Sequence, residues 1–162
     1  MTIQLGNRSA GTVRIYFEKA QAPAIKAVLP QKAQTVEEAL KDYYDSLLPG
    51  ASSFGKTILA DGAYIGDIWC YCIDPHSEPN AMLSFCIFDE KYRSRGIMTE
   101  AVSLFLSEAC ARYGLKTVGA FTFSDNPASS RVLKKSGFTL AEEFTDNGRE
   151  SKYFQLKINS PL

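Results

Sequence analysis

In the stretch KYRSRGIMTEA, residues 91–101, three cations (Lys91, Arg93 and Arg95) crowd around Gly96, directly ahead of apolar residues at helical spacing. A helix start carries unpaired N–H groups and partial positive charge. A loop entering it adds further N–H groups, and together they make a concave anion nest. Gly96 has no Cβ, so a phosphate can come close to the backbone there. Arginine's planar fork suits phosphate oxygens. Such a loop after a strand can hold a diphosphate. The same residues also fit a plain glycine turn with solvated charges. The chain has 162 residues, with 18 Lys and Arg against 18 Asp and Glu. Without net charge, nothing global draws nucleic acid or an anionic membrane, so an anion site has to be local.

Other reactive side chains are sparse. Cys70 and Cys72 lie two apart, so a regular strand puts them on one face. They form no CxxC, and the lone His76 is too little for a zinc site, so no metal is expected. The four cysteines, with Cys86 and Cys110, are expected to be reduced and mostly buried, as suits a reducing cytoplasm. Cys86 lacks a nearby histidine and is expected to pack rather than attack. Asp67, His76 and Glu78 are the candidate proton acceptors.

The elements that must position these groups follow from periodicity. Residues 18–30 predict a short helix interrupted near Pro23 and stopped by Pro30. Residues 35–50 predict a clearer one: Thr35 and Glu38 form a capping box, Val36, Leu40, Tyr43, Tyr44 and Leu47 a stripe, and Pro49-Gly50 a stop. Strands are expected at 54–60 and 63–73 around the hairpin signal Asp61-Gly62, and at 81–88 after a turn-rich loop. A helix runs from Ile97 to Tyr113-Gly114, and a strand follows at 115–123. Asn126 caps a short helix with Pro127 at its first position and Gly137 past its end. Residues 138–144 and 151–158 close the chain as a hairpin across Asp146-Asn147-Gly148. The unit 81–123 is strand, helix, strand. It implies one parallel pair within a mostly antiparallel sheet, a natural place for a ligand slot. The N-terminus lacks the apolar block of a signal peptide, and no stretch approaches the ~20 apolar residues that span a bilayer.

With these elements in place, Arg93-Ser-Arg-Gly96-Ile-Met98 resembles the R/Q-x-x-G-x-G/A signature of the GNAT acyl-CoA N-acyltransferases. Asn126-Pro-Ala-Ser129-Ser-Arg-Val132-Leu-Lys-Lys-Ser-Gly137-Phe138 resembles that family's N-x-x-S-x-x-V-L-x-K-x-G-F segment, at the expected distance downstream. The resemblance covers residues 57–158, and its RGIMTEA loop looks most like the ribosomal-protein N-terminal acetyltransferases (RimJ/RimL-like). It implies an α/β GNAT fold over 1–162 as a single domain, with a splayed parallel strand pair. Residues 1–50 would supply the acceptor-side helices and 81–138 the acetyl-CoA-binding core. Pantetheine would add to strand 81–88 like an extra strand, pairing with backbone around Phe85, Cys86, Ile87 and Phe88. The pyrophosphate would rest on N–H groups of Arg93, Ser94, Arg95, Gly96, Ile97, Met98 and Thr99. Asn126, Ser129 and Ser130 would complete the coenzyme contacts. Met98 replaces the usual Gly or Ala, but its N–H survives.

The chemistry implied is direct attack of a primary amine on the thioester in a ternary complex. A strand N–H near Phe85 or Cys86 would support the oxyanion. Many members carry a Glu where this chain has Met82, and a Tyr where it has Leu133. Ser129 is then the catalytic candidate, as a hydrogen-bond donor to the thiol. Without a carboxylate base, an α-amine (pKa near ~8) is the easier acceptor than a lysine side chain (~10.4). Trp69, Tyr71 and Phe85 are expected in the core or slot, and Tyr43 and Tyr44 are candidates for the acceptor wall. The partners expected are acetyl-CoA and an amine, with no nucleic acid and no membrane. The assembly expected is a monomer or homodimer in the cytoplasm. Two rivals remain open. One is a non-catalytic acyl-CoA-binding module that has lost its acid and base. The other is a nucleotide- or phosphate-binding regulatory domain, although GxxxxGK[ST] and GxGxxG patterns are absent.

Overall fold

Alternating apolar residues and tight turns build most of the molecule into one twisted sheet. A computed structural model describes residues 1–159. Its elements are β1 (Ile3–Asn7), α1 (Ala10–Ala20), α2 (Pro23–Val28), α3 (Val36–Ser46), β2 (Phe54–Ala60), β3 (Ala63–Asp74) and β4 (Asn80–Ile87). A 3-10 turn at Glu90–Tyr92 leads to α4 (Ile97–Tyr113), β5 (Thr117–Phe123), α5 (Pro127–Lys135), β6 (Thr139–Asp146) and β7 (Arg149–Lys157). The seven strands run in the order β1-β2-β3-β4-β5-β7-β6. Every neighbouring pair is antiparallel except β4–β5. This is the mixed α/β architecture expected, with one parallel pair flanked by helices. No described helix is long and apolar enough to cross a membrane.

The register assigns two faces. On one, α4 lays Ala101, Val102, Phe105 and Ala109, all fully buried, against Ile58, Ile68, Leu83, Val118 and Phe154. On the other, Asp67 stands opposite Cys86 and Trp69 opposite Ser84. There Tyr16, Ala20, Ile25 and Leu29 of the N-terminal helices pack on Trp69, Cys86 and Phe88. Each fully buried Leu, Val or Phe side chain contributes roughly 1.5–3 kcal/mol by leaving water.

The N-terminal third departs from expectation. Residues 3–7 form a strand that pairs with β2, which the sequence pattern did not predict. The helix expected over 18–30 is two helices. α1 starts eight residues earlier, at Ala10, where Ser9 Oγ accepts from the Thr12 N–H and Thr12 Oγ1 accepts from the Ser9 N–H. The break falls beside Pro23 as expected, and Pro23 opens α2 at its first position, where its missing N–H costs nothing. α3 lies where expected, with Thr35 Oγ1 accepting from the Glu38 N–H at 3.2 Å. The return bond differs: Glu38 Oε2 takes the N–H of Gln34, not of Thr35. Its apolar stripe is not buried either, since Tyr44 and Leu47 are exposed. Cys70 and Cys72 do not share a face. A bulge between Tyr71 and Asp74 puts Cys72 at φ 51° and turns it to solvent, while Cys70 is buried.

Candidate active site

β4 and β5 pair over three rungs only, Asn80–Thr117, Ala81–Val118 and Met82–Gly119, and then part. Two anchors show which peptide groups face the opening. The Pro79 carbonyl accepts from Lys116 and Thr117 on the β5 side, and the Phe88 N–H donates to Ile65 on the β3 side. Peptide groups alternate sides along a strand. Leu83, Phe85 and Ile87 therefore turn their main-chain donors and acceptors into the gap, while the Cys86 pair and the Phe88 N–H face β3. Of the run Phe85–Phe88, the odd-numbered pair is free to hold an added strand, joined by Leu83.

At the mouth of the gap, Ser94 and Gly96 both take left-handed backbone, φ 58° and 75°. Gly96 is the N-cap of α4 and supplies no side-chain cap. The first N–H to be satisfied in the helix is that of Glu100, donating to the Gly96 carbonyl. The N–H groups of Ile97, Met98 and Thr99 are thus available to an anion. Left-handed φ at a helix entry is a nest geometry, and Gly96 meets nothing within 4 Å of where a Cβ would sit.

A cavity of about 360 Å³ runs from this nest through the gap. Phe85, Cys86, Ile87, Arg93, Ser94, Gly96, Ile97, Met98, Thr99, Asn126 and Ser129 all line it. Three expected residues do not. Arg95 is exposed and off the cavity, Phe88 packs against Tyr16 and Tyr64, and Ser130 is buried in α5 with its Oγ unpartnered. Lys91 lies over the Tyr92 ring, 5.1 Å from its centroid, and 3.7 Å from Asp89. Of the three cations around Gly96, Arg93 alone faces inward; its Nη2 donates to the Ile87 carbonyl at 3.4 Å. Arg131 and Lys135, one helical turn apart on α5, supply two more cations, and among the described residues no carboxylate lines the cavity. A chain without net charge therefore holds a locally positive slot.

α2 was not anticipated as part of this site. Ala24, Ile25, Val28 and Leu29 close the slot on the side opposite α5. Arg149 at the start of β7 pins this helix. It donates to the Ala27 carbonyl at 2.5 Å and to Asp125 at 2.9 Å, with its guanidinium 3.5 Å from the Phe123 ring centroid. Such a contact, spanning 122 residues, leaves no local pattern in the chain.

On α5, Asn126 caps the helix, its Oδ1 accepting from the Ser129 N–H at 3.3 Å. Its Nδ2 donates to Ser129 Oγ at 3.0 Å. Because Ser129 Oγ is the acceptor in that bond, its own proton is free to point at a sulfur in the slot. Leu133 is buried in the slot wall and carries no proton. Met82 sits at the last β4–β5 rung, outside the slot. Asp67 is buried and bonded to Arg8 Nε at 3.0 Å and to the Tyr64 hydroxyl at 2.5 Å. Burial raises its pKa despite Arg8 beside it. His76 is exposed in its loop, and Glu78 lines a second hollow. None of these three carboxylate or imidazole groups reaches the slot.

Burial pushes the Cys86 thiol up to about 12, with Asp67 adding to the shift, and burial raises Cys70 to about 12 as well. Neither forms an appreciable thiolate near neutrality, which fits packing. Iodoacetamide at pH 8 should label Cys72 in the native protein and leave Cys70 and Cys86 unmodified until denaturant is added. Mass spectrometry of the peptides reads this. Native labelling of Cys86 as fast as Cys72 would contradict a buried, protonated thiol.

A family-wide sequence profile, the acetyltransferase (GNAT) domain, matches residues 10–139. A protein of Bacillus subtilis (strain 168), the uncharacterized N-acetyltransferase YoaA, is 38% identical over 58 residues, which is 36% of this chain and 32% of that protein. The match thus spans about a third of that relative's length. The fold is shared with the spermidine N-acetyltransferase of Vibrio cholerae, solved with CoA and spermine. Its TM-score is 0.82 at 14% identity, over 96% of this chain and 95% of that one. It is also shared with an acetyl transferase of Salmonella typhimurium that modifies the N-terminal serine of ribosomal protein L7/L12. There the TM-score is 0.81 at 16% identity, over 98% and 96% of the two chains.

Proposed function

Because the chain belongs to the GNAT acetyltransferase family, we propose that it binds acetyl-CoA in the splayed slot and acetylates a primary amine by direct attack in a ternary complex. One observation supports this above the others: an uncapped helix start with a left-handed glycine opens onto a strand edge bare from Leu83 to Ile87. The diphosphate would take the N–H groups of Gly96 to Thr99, with Arg93 adding charge. Arg131 and Lys135 stand where further phosphate can be met. Pantetheine would pair with Leu83, Phe85 and Ile87, and the Phe85 N–H would face the developing oxyanion. Arg95, Phe88 and Ser130 have no part in this arrangement.

Within the family the chain is assigned to the RimJ/RimL-like subgroup, with an α-amine as the favoured acceptor class. The Salmonella protein's serine amine and the Vibrio protein's spermine bracket the choices. An acceptor screen with thiol detection decides, using a peptide α-amine, lysine, a polyamine and an aminoglycoside. Greater activity at pH 7 on lysine side chains than on α-amines would reject the α-amine assignment. Four free cysteines suit action in the cytoplasm, as a monomer or homodimer.

Ser129 would hydrogen-bond the departing thiolate through its free hydroxyl proton. Ser129→Ala should lower kcat about tenfold or more, the loss of a hydrogen bond to a charged group, with little change in CoA affinity. Unchanged turnover would remove that role. Met82 and Leu133 in place of proton-carrying residues favour a second reading, a non-catalytic acyl-CoA-binding module. CoA binding without thiol release on any amine would select it.

A further inference from the structure

The rung Met82–Gly119 is the vertex where β4 and β5 part. Tyr153, on β7 opposite Phe121, leans back across β5 at this point. A Cβ on Gly119 would lie 2.6 Å from Tyr153 Oη, 2.7 Å from its Cε2 and 2.9 Å from Met82 Sδ. Only glycine leaves room for that phenol, so the hydroxyl reaches from the third strand to the vertex. Met82 is on the same face as Ser84 and Trp69, the side of the sheet that α1 and α2 cover, and Tyr153 shares it.

Tyr153 opens there onto a separate hollow of about 240 Å³, lined by Glu78, Asn80, Met82, Thr117 and Gln155. Among the described residues its one charged lining residue is a carboxylate, Glu78, whereas the charged residues lining the coenzyme slot are cations. Phe121 joins the two spaces: it lines the slot, and its ring lies 5.1 Å from that of Tyr153. One space suits an anion and its neighbour a cation, and they meet at the strand fork.

We propose that this hollow receives the acceptor amine and that Tyr153 is a catalytic residue, its Oη accepting a hydrogen bond from the attacking nitrogen. The inference rests on the acetyltransferase reading above. The nitrogen bonds to the acetyl carbon, and the C–S bond breaks with its electron pair left on sulfur. The nitrogen's excess proton passes to Tyr153 Oη as the phenol releases its own to water beside Glu78. The sulfur takes up a proton from solvent, so amine and thioester become amide and thiol. Tyr153 thus takes up the proton-accepting role that Met82 cannot fill.

The test measures transfer to a short peptide with a free α-amine and to spermidine. Tyr153→Phe keeps the ring and removes the oxygen. It should lower kcat/KM about a hundredfold while leaving the Kd for CoA, read by calorimetry, and the melting temperature unchanged. Glu78→Gln should raise KM for the amine more than it lowers kcat. Gly119→Ala, which displaces the phenol, should reproduce the Tyr153→Phe loss of kcat/KM. Tyr153→Phe kinetics within twofold of wild type across pH would overturn the inference and leave the acetyltransferase reading standing. A wild-type protein that binds CoA yet transfers to neither probe would also overturn it. Absence of CoA binding by wild type would instead bring down the acetyltransferase reading first.

Discussion

Gly96→Val is expected to weaken CoA binding about a thousandfold while the protein still folds. The reason is conformational. Gly96 sits at φ 75°, a region that costs an L residue about 1–2 kcal/mol and a β-branched one more. Nothing lies within 4 Å of the would-be Cβ, so the position opens to space rather than into the core. The loop escapes the strain by changing φ, and the N–H groups of Gly96, Ile97 and Met98 then no longer converge. Two charge-assisted hydrogen bonds to a diphosphate contribute roughly 3–6 kcal/mol together, which brackets the thousandfold loss. Calorimetry reads the affinity, and a melting temperature lowered by only a few degrees shows that the fold persists. Gly96→Ala should fall between the two. A valine variant that binds CoA like wild type would show that the nest does not grip the phosphates.

Asp67→Ala should destabilise the protein by about 3–5 kcal/mol, the usual cost of removing one partner of a buried ion pair. Its carboxylate is 3% exposed and holds Arg8 from the β1–α1 junction and Tyr64 from β3. Arg8 in turn lies 5.5 Å from the Trp69 ring centroid, and its carbonyl accepts from Tyr43 at 3.1 Å. Loss of the carboxylate strands a guanidinium beneath α1 and loosens the N-terminal helices from the sheet. Denaturant titration measures the stability. The same variant settles whether Asp67 is the base: below its unfolding temperature the pH dependence of kcat should be unchanged. Loss of the acid-side limb of the pH profile at intact stability would make it catalytic instead.

The two ends of the chain differ in how much their residues disclose. From Phe54 onward the elements follow the pattern, because Asp61-Gly62, Gly96, Gly114 and Asn126-Pro127 mark turns and caps by local chemistry. Before it, α1 reads AGTVRIYFEKA, in which Gly11, Thr12 and Val13 are poor helix formers and the cap pairs Ser9 with Thr12, not with Glu or Gln. The helix is held by packing Tyr16 and Ala20 on Trp69 and Cys86, which a window of sequence does not contain. β1, five residues long, owes its existence to β2, its partners running from Lys56 for Asn7 to Ala60 for Ile3.

The site divides along the same line. The left-handed helix entry at Gly96 was legible because its residues are consecutive, and the Asn126 cap that orients Ser129 because the two lie three positions apart. The Arg95 side chain lies off the cavity, because a cation beside a glycine says nothing about which way the side chain turns. Phe88 lies one residue beyond β4, with its peptide committed to Ile65. The α2 cover and the reach of Tyr153 to Met82 join residues some seventy to a hundred and twenty apart, and only the folded sheet brings them together.

Calorimetric titration of acetyl-CoA into the purified wild-type chain tests the central claim most directly. One equivalent should bind with measurable heat, compete with CoA and resist displacement by equimolar ATP, since pantetheine pairing along Leu83–Ile87 adds what a nucleotide lacks. No heat, or displacement by ATP as readily as by CoA, would contradict it.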